Sequence, residues 1–210
     1  MRIAWHGHAC FEINDGSTVV TDPHDGKSIG LAPPIVEADL VLLSHDHYDH
    51  NCARIVKGNP TVVESAVEET IKGAKIRTFK TFHDEAGGEK RGDNRIFSFE
   101  MDGVTFCHLG DLGHPLGDEL VSSIGPVDVL FVPVGSVFTI DGAAGWETVA
   151  KIKPKIAVPM HYRLRGLSLS LRPLEDFLSH ARVVVTRVGN EVVFVKDDLP
   201  ESTEVWVFTF

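Results

Sequence analysis

The most constraining stretch of this 210-residue chain is Ser44-His45-Asp46-His47-Tyr48-Asp49-His50-Asn51, entered directly from the unbroken apolar run Leu40-Val41-Leu42-Leu43. Such a run, bounded by polar residues, reads as a strand buried on both faces. A loop leaving a buried strand can aim its side chains into a cleft, and here His45, His47, Asp49 and His50 fall within six residues. Imidazoles with a carboxylate suit zinc, manganese or iron. The competing reading is a solvated surface loop that happens to be rich in histidine.

Elsewhere, apolar runs of strand length alternate with helical patterns and are punctuated by Gly, Pro, Asn and Asp, which argues for a mixed α/β chain. The opening reads as a meander: Arg2 to Trp5, Ala9 to Ile13, a tight turn at Asn14-Asp15-Gly16, then Thr18 to Thr21 ending in Asp22-Pro23. A short helix around Cys52 to Val56, a strand near Thr61 to Val63, a helix over Ser65 to Lys72 and a strand near Lys75 to Phe79 follow. The Gly-rich polar stretch Asp84 to Asn94 reads as a mobile flap over a cleft. Asp102-Gly103 joins a hairpin, Asp128 to Val134 is a buried strand, and Trp146 to Ile152 is a helix closed by Pro154. Lys155 to Met160 is a strand ending at His161, a helix lies near Pro173 to Ala181, and strands follow at Val183 to Arg187 and Glu191 to Val195. The alternating Trp206, Phe208 and Phe210 suggest an edge strand covering the core, with a dimer face as the other use of the same pattern. No low-complexity linker divides the chain, so a single domain over 1–210 is expected.

Composition narrows the function classes. With 43% hydrophobic residues the chain can bury one sizeable core. A formal charge of −10 disfavours a general nucleic-acid binder, which needs a basic stripe to neutralise phosphates. The start shows no signal-peptide pattern and no run is long enough to span a bilayer, so a cytoplasmic protein with no membrane partner is expected. Three widely spaced cysteines, Cys10, Cys52 and Cys107, imply neither a disulfide framework nor a Cys-rich zinc knuckle, and read as reduced, buried thiols. Among eleven histidines, most sit in loops that follow apolar strands.

The His-x-His-x-Asp-His string resembles the signature of the metallo-β-lactamase superfamily. Trp5-His6-Gly7-His8, Thr21-Asp22-Pro23, His108-Leu109-Gly110-Asp111 and Pro159-Met160-His161-Tyr162 occur in family order and resemble its UlaG-type, lactonase-like branch. The resemblance implies a four-layer αββα sandwich, two mixed β-sheets flanked by helices. It further implies two divalent metal ions, zinc by expectation, with manganese, nickel or iron as alternatives. Carried over by position, it puts His45, His47 and a third histidine on the first ion, Asp49, His50 and His161 on the second, and Asp111 between them. His83, which opens a polar loop after a strand, and His108, three residues before Asp111, compete for that third place. His83 is the expected ligand and His108 a supporting group or proton carrier.

Two cations about 3.5–4 Å apart can share a hydroxide and lower the pKa of bound water to about 7. Asp49, Asp111 and His108 are therefore the expected catalytic residues. Metal-bound imidazoles need their other nitrogen oriented, and Asp22 is the candidate, against a simple turn-forming role. His8 and His6 either line the cleft or pack in the core. Arg163 and Arg165, just after His161, either hold an anionic substrate group or are solvated loop charges. The expected activity is hydrolysis of an ester-like bond in a small-molecule substrate, a lactone, either plain or phosphorylated. A phosphodiesterase or nuclease is the nearest alternative, a di-iron oxidoreductase or a non-catalytic metal-binding protein the more distant ones, and homo-oligomerisation is left open.

Overall fold

The computed structural model describes residues 1–210 as two β-sheets packed face to face. The first sheet runs β13-β1-β2-β3-β4-β5, built from β1 (Arg2–Trp5), β2 (Phe11–Asn14), β3 (Thr18–Thr21), β4 (Leu40–Leu42), β5 (Thr61–Val63) and β13 (Glu191–Val193). The second runs β12-β14-β11-β10-β9-β8-β7-β6. Its strands are β6 (Glu68–Ile71), β7 (Ala74–Phe82), β8 (Asp93–Met101), β9 (Val104–His108), β10 (Val129–Pro133), β11 (Ile156–Met160), β12 (Val185–Arg187) and β14 (Glu204–Val207). Both sheets are mixed, as the resemblance implies. Three helices, α1 (Asp118–Ile124), α2 (Gly142–Ile152) and α3 (Leu174–Leu178), all come from the second half of the chain, α2 packing on α3 and on β10. The smaller cluster formed by Val20, Val36, Val41 and Val56 is instead covered by irregular chain and the 3₁₀ turn Ala53–Ile55. No helix is long and apolar enough to cross a membrane.

The strands form where they do because alternate residues meet between the sheets. Ile3, Phe11, Ile13 and Val19 from the first sheet join Phe99, Phe106 and Phe131 from the second in a core cluster of 43 buried residues. Phe11 and Phe131 touch across the interface with ring centroids 4.3 Å apart, and Phe106 stacks on Phe99 at 5.2 Å. Aromatic pairs at such separations add to the area they bury.

Two expected elements differ. The segment read as a helix over Ser65 to Lys72 contains β6, hydrogen-bonded antiparallel to β7 with Ile71 opposite Ala74. Lys72 and Gly73 both hold positive φ, 51° and 85°, the backbone of a two-residue hairpin turn, and that local geometry overrides the helix-like spacing. The aromatic terminus is no sheet edge either: β14 lies between β11 and β12, both parallel to it, and β12 is the edge. Helix α1 carried no periodic signal strong enough to be read from sequence.

Parallel pairing decides where the loops gather. β3 and β4 run parallel, with Thr21 opposite Leu42, so the residues just after them, Asp22 and Ser44, leave side by side. β9, β10 and β11 are likewise mutually parallel, and β7 runs the same way because two antiparallel steps separate it from β9. The carboxyl ends of these strands open on one rim, the usual place for a ligand site in such sheets.

Candidate metal centre

Each strand on that rim delivers one part of a buried polar cluster. β4 leads to His45, His47, Asp49 and His50, β7 to His83, β9 to Asp111, β11 to His161, and the β1–β2 turn to His8. His8, His45, Asp49, His50, His83, Asp111 and His161 are all buried, while His47 is half-buried. His8, Asp22 and His161 hold positive φ, 56°, 38° and 54°. Such backbone is costly for residues with a Cβ and persists where surrounding structure enforces it.

The donors fall into two sets. The rings of His45, His47 and His83 form a near-regular triangle with centroid separations of 4.6, 4.8 and 4.9 Å. His8, Asp49, His50 and His161 form a second group whose ligand atoms lie within 4.8 Å of one another. Asp111 sits between the sets. Its Oδ2 is 3.1 Å from His83 Nε2, 3.1 Å from His161 Nε2, 3.3 Å from His50 Nε2 and 3.8 Å from His45 Nε2.

That convergence leaves polar atoms without partners. His45 Nε2, His50 Nε2, His161 Nε2 and Asp111 Oδ1 are buried and make no hydrogen bond. An orphaned buried group costs about 1–3 kcal/mol, so several aimed at one small volume fit a cluster shaped for cations. The donor chemistry fits as well: neutral imidazoles with two carboxylates suit divalent transition metals.

Electrostatics keep the donors in ligating form. Burial and then His50 lower the pKa of His45 to about 3 against the opposing pull of Asp111; burial and then His161 lower that of His8 to about 3. Burial works against ionisation of Asp111 and Asp49, but His161 and His50 hold Asp111 well below the usual carboxylate range, and His50 and His8 hold Asp49 below it. His50 is the exception: burial disfavours its cation, yet Asp111 and Asp49 raise its pKa well above that of a free imidazole.

The far nitrogens are fixed by a short relay. Asp22 Oδ2 accepts from His50 Nδ1 at 3.0 Å and from the Ser44 hydroxyl at 2.6 Å, and its Oδ1 accepts from the Ser44 backbone N–H at 2.8 Å. The Ser44 oxygen in turn lies 2.9 Å from His45 Nδ1. One carboxylate thus sets the tautomer of His50 directly and of His45 through a hydroxyl. His8 Nε2 meets Asp49 Oδ2 at 3.1 Å. Asn94 holds the Asp111 turn: its Oδ1 accepts from Asp111 N–H at 2.9 Å while its amide donates to Leu109 O and Thr81 Oγ1. Gly110, at φ 56°, is pressed so closely between Ser44 and Asn94 that a Cβ there would overlap both. Ser44 and Asn94 were not singled out from sequence. Ser44 adjoins the histidine string, so its position was the available signal; Asn94 had none, because its role arises from a contact with a residue seventeen positions away.

Other candidates lie elsewhere. His108 is buried beside the cluster, but its Nε2 bonds Ala9 O at 3.1 Å and its Nδ1 accepts from Gly110 N–H at 3.2 Å. Both nitrogens are committed to backbone, which leaves neither free for a metal or for carrying a proton. His6 faces Glu12 rather than the cluster, at 3.1 Å. Arg163 and Arg165 are exposed, and neither lines the cavity over the donors. The loop expected to be a mobile flap is braced: the Asp84 carboxylate accepts the backbone N–H groups of Ala86, Gly88, Lys90 and Arg91 at 2.7–3.0 Å. Cys10, Cys52 and Cys107 are unpaired and buried.

Over the donors lies a cavity of about 180 Å³ lined by His47, Tyr48, Asp49, His83, Arg91, Asp111, Phe138 and Leu169. It adjoins two larger hollows of about 530 and 470 Å³, the first sharing His47 and Arg91, the second His83, Arg91 and Phe138.

Comparison with known proteins shows the family. Residues 2–161 match the beta-lactamase superfamily domain. A UPF0173 metal-dependent hydrolase of Thermoplasma acidophilum is 30% identical over 187 residues, covering 77% of this chain and 83% of its own. Its counterpart in Archaeoglobus fulgidus is 27% identical, covering 93% and 100%. A candidate Zn-dependent hydrolase of the metallo-beta-lactamase superfamily from Thermotoga maritima superposes with a TM-score of 0.82 at 39% identity, covering 99% of this chain and 97% of its own. The chain therefore belongs to the beta-lactamase superfamily and is one of its metal-dependent hydrolases.

Proposed function

We propose that the protein is a binuclear hydrolase of small ester-like substrates, lactones among them. The observation that carries this reading is the convergence of imidazoles from both donor sets on Asp111 Oδ2. His45, His47 and His83 would hold one divalent ion, Asp49, His50 and His161 a second, and Asp111 would lie between them. Zinc is the favoured metal, since imidazole and carboxylate donors suit it and the Thermotoga maritima relative is a candidate Zn-dependent hydrolase. Two such ions would supply Lewis acidity and would lower the pKa of a bound water to about 7.

The chain's own residues account for the rest. Asp22 and Ser44 turn the Nε2 atoms of His50 and His45 inward, and His8 fixes the angle of Asp49. Asn94 holds the Asp111 backbone, so the central carboxylate is set before anything binds. His108 acts as a wedge between sheets. The roughly 180 Å³ cavity suits a small molecule better than a polymer. With a charge of −10, a nucleic-acid substrate is also disfavoured. Three buried, unpaired thiols support the expected reducing, cytoplasmic setting.

The test is a substrate panel on metal-loaded and chelator-treated protein, comprising a simple lactone series, 4-nitrophenyl acetate and bis-4-nitrophenyl phosphate. Metal-dependent turnover of lactone or ester is expected. Turnover of the phosphodiester alone would overturn the substrate class, and no turnover of any would remove the hydrolytic reading at this site.

A further inference from the structure

Arg91 borders all three hollows around the donor cluster, and its guanidinium makes no ion pair. Among nearby cations, Lys80 pairs with Asp93 at 2.8 Å and Arg95 donates to Ser44 O at 3.4 Å, while Lys90 borders only the 470 Å³ hollow and not the cavity over the donors. Arg91 instead lies with its Cζ 4.1 Å from the centroid of the Phe138 ring. None of its guanidinium N–H groups bonds within the chain, and those are the donors that recognise carboxylate or phosphate in a plane.

Both partners of that stack are held from behind. On one side, the loop between β7 and β8 closes around the Asp84 carboxylate, which accepts the backbone N–H of Arg91 itself at 2.7 Å. On the other, Phe138 ends a three-residue turn in which its N–H bonds Ser136 O and the central Val137 has φ 60°. A β-branched residue at positive φ is strained backbone, and strain of this kind collects where it sets a functional group. The turn leaves β10 on the same rim as the donors, so two loops from the second sheet pin one cation over the cavity.

We propose that Arg91 is the specificity residue of the site and binds an anionic group carried by the substrate, which makes the substrate class an ester or lactone bearing a carboxylate or phosphate. The inference rests on the hydrolase reading and adds the substrate class to it. In a chain of net charge −10, Arg91 is the one Arg or Lys that lines the cavity, set beside the carboxylates of Asp49 and Asp111. It takes the place of Arg163 and Arg165, which lie outside the cavity.

The test is calorimetric titration of inorganic phosphate and of succinate into the wild type, Arg91→Gln and Arg163→Gln, each in metal-loaded and metal-free form. Bound cations attract anions by themselves, so the quantity of interest is the difference between wild type and variant in each form. We expect Arg91→Gln to weaken at least one anion about tenfold or more, the scale of a charge-assisted hydrogen bond, with metal content and Arg163→Gln affinity unchanged. Loss confined to phosphate assigns a phosphoryl group, and loss confined to succinate a carboxylate. Equal affinities in wild type and Arg91→Gln, equal losses in both variants, or no anion binding by the wild type would overturn the proposal. An inert hydrolase panel with the Arg91 difference intact would count against the reaction and not against the anion site.

Discussion

Asp22 Oδ2 accepts the Nδ1 proton of His50 at 3.0 Å while its Oδ1 accepts the Ser44 backbone N–H, so one buried carboxylate ties the ends of two parallel strands to the outer nitrogen of a donor histidine and leaves its Nε2 facing Asp111. Asp22→Asn keeps the shape but removes the charge that fixes the His50 tautomer. The expected result is metal affinity about 10–100-fold weaker, read by competition with a chromophoric chelator. Ser44→Ala, which leaves the backbone bond to Asp22 in place, should cost less than Asp22→Asn, since the hydroxyl's bonds to Asp22 and His45 are lost but the Asp22 contact with His50 is kept.

Asn94 provides a second, independent handle. Asn94→Ala removes the acceptor for Asp111 N–H and two donor contacts from a buried site, without touching any proposed metal donor. Its destabilisation should reach about 1–3 kcal/mol by urea unfolding, the cost of leaving buried polar groups unsatisfied. Metal affinity should fall with it, because the Asp111 turn loses its anchor.

In the metal-free protein, stability should decline as pH falls from 6.5 towards 3. His8 and His45 have folded pKa values lowered from 6.5 to about 3. The unfolded chain therefore takes up protons in that window that the fold refuses, and the stability present above pH 6.5 is lost on acidification. Asp49 and Asp111, lowered below their usual range, act in the same direction at the acid end. His50 opposes them, since its raised pKa contributes stability at low pH that disappears as pH rises through the folded value. Melting temperatures of chelated protein at pH 7.5 and pH 5 should show the fall, and a rise at pH 5 would mean that His50 dominates.

Much of the site was legible because its chemistry is local in sequence. The histidine string, Asp22, Asp111 and His161 each follow a buried strand, and parallel pairing carries strand ends to one rim. What escaped is non-local or backbone-driven. Asn94 acts on a turn made by another strand, and β6 was hidden because Glu68 to Ile71 fits helical spacing until the Lys72-Gly73 turn folds it onto β7. His108 has the residue type of a ligand and stands three positions from Asp111, yet its register on β9 points it between the sheets, where Ala9 and Gly110 take both nitrogens. Arg91 was passed over in favour of Arg163 and Arg165, since only the packing of Phe138 shows which cation overlooks the cavity.

The core beneath the site should be correspondingly demanding. Phe131 is fully buried and its ring lies 4.3 Å from Phe11 and 5.8 Å from His108. Phe131→Ala should cost about 3–5 kcal/mol, through lost burial and the cavity left behind. Urea unfolding of the metal-loaded protein measures it, and a cost below about 1 kcal/mol would mean that the two sheets close the gap without strain on the donors.

The most direct measurement is metal content per chain by plasma mass spectrometry, made on the wild type, His83→Ala and His108→Ala after reconstitution and desalting. Close to two ions per wild-type chain are expected, with a clear loss in His83→Ala and retention in whatever His108→Ala protein folds. A wild type that holds no metal, or a loss in His108→Ala with none in His83→Ala, would contradict the proposed binuclear centre.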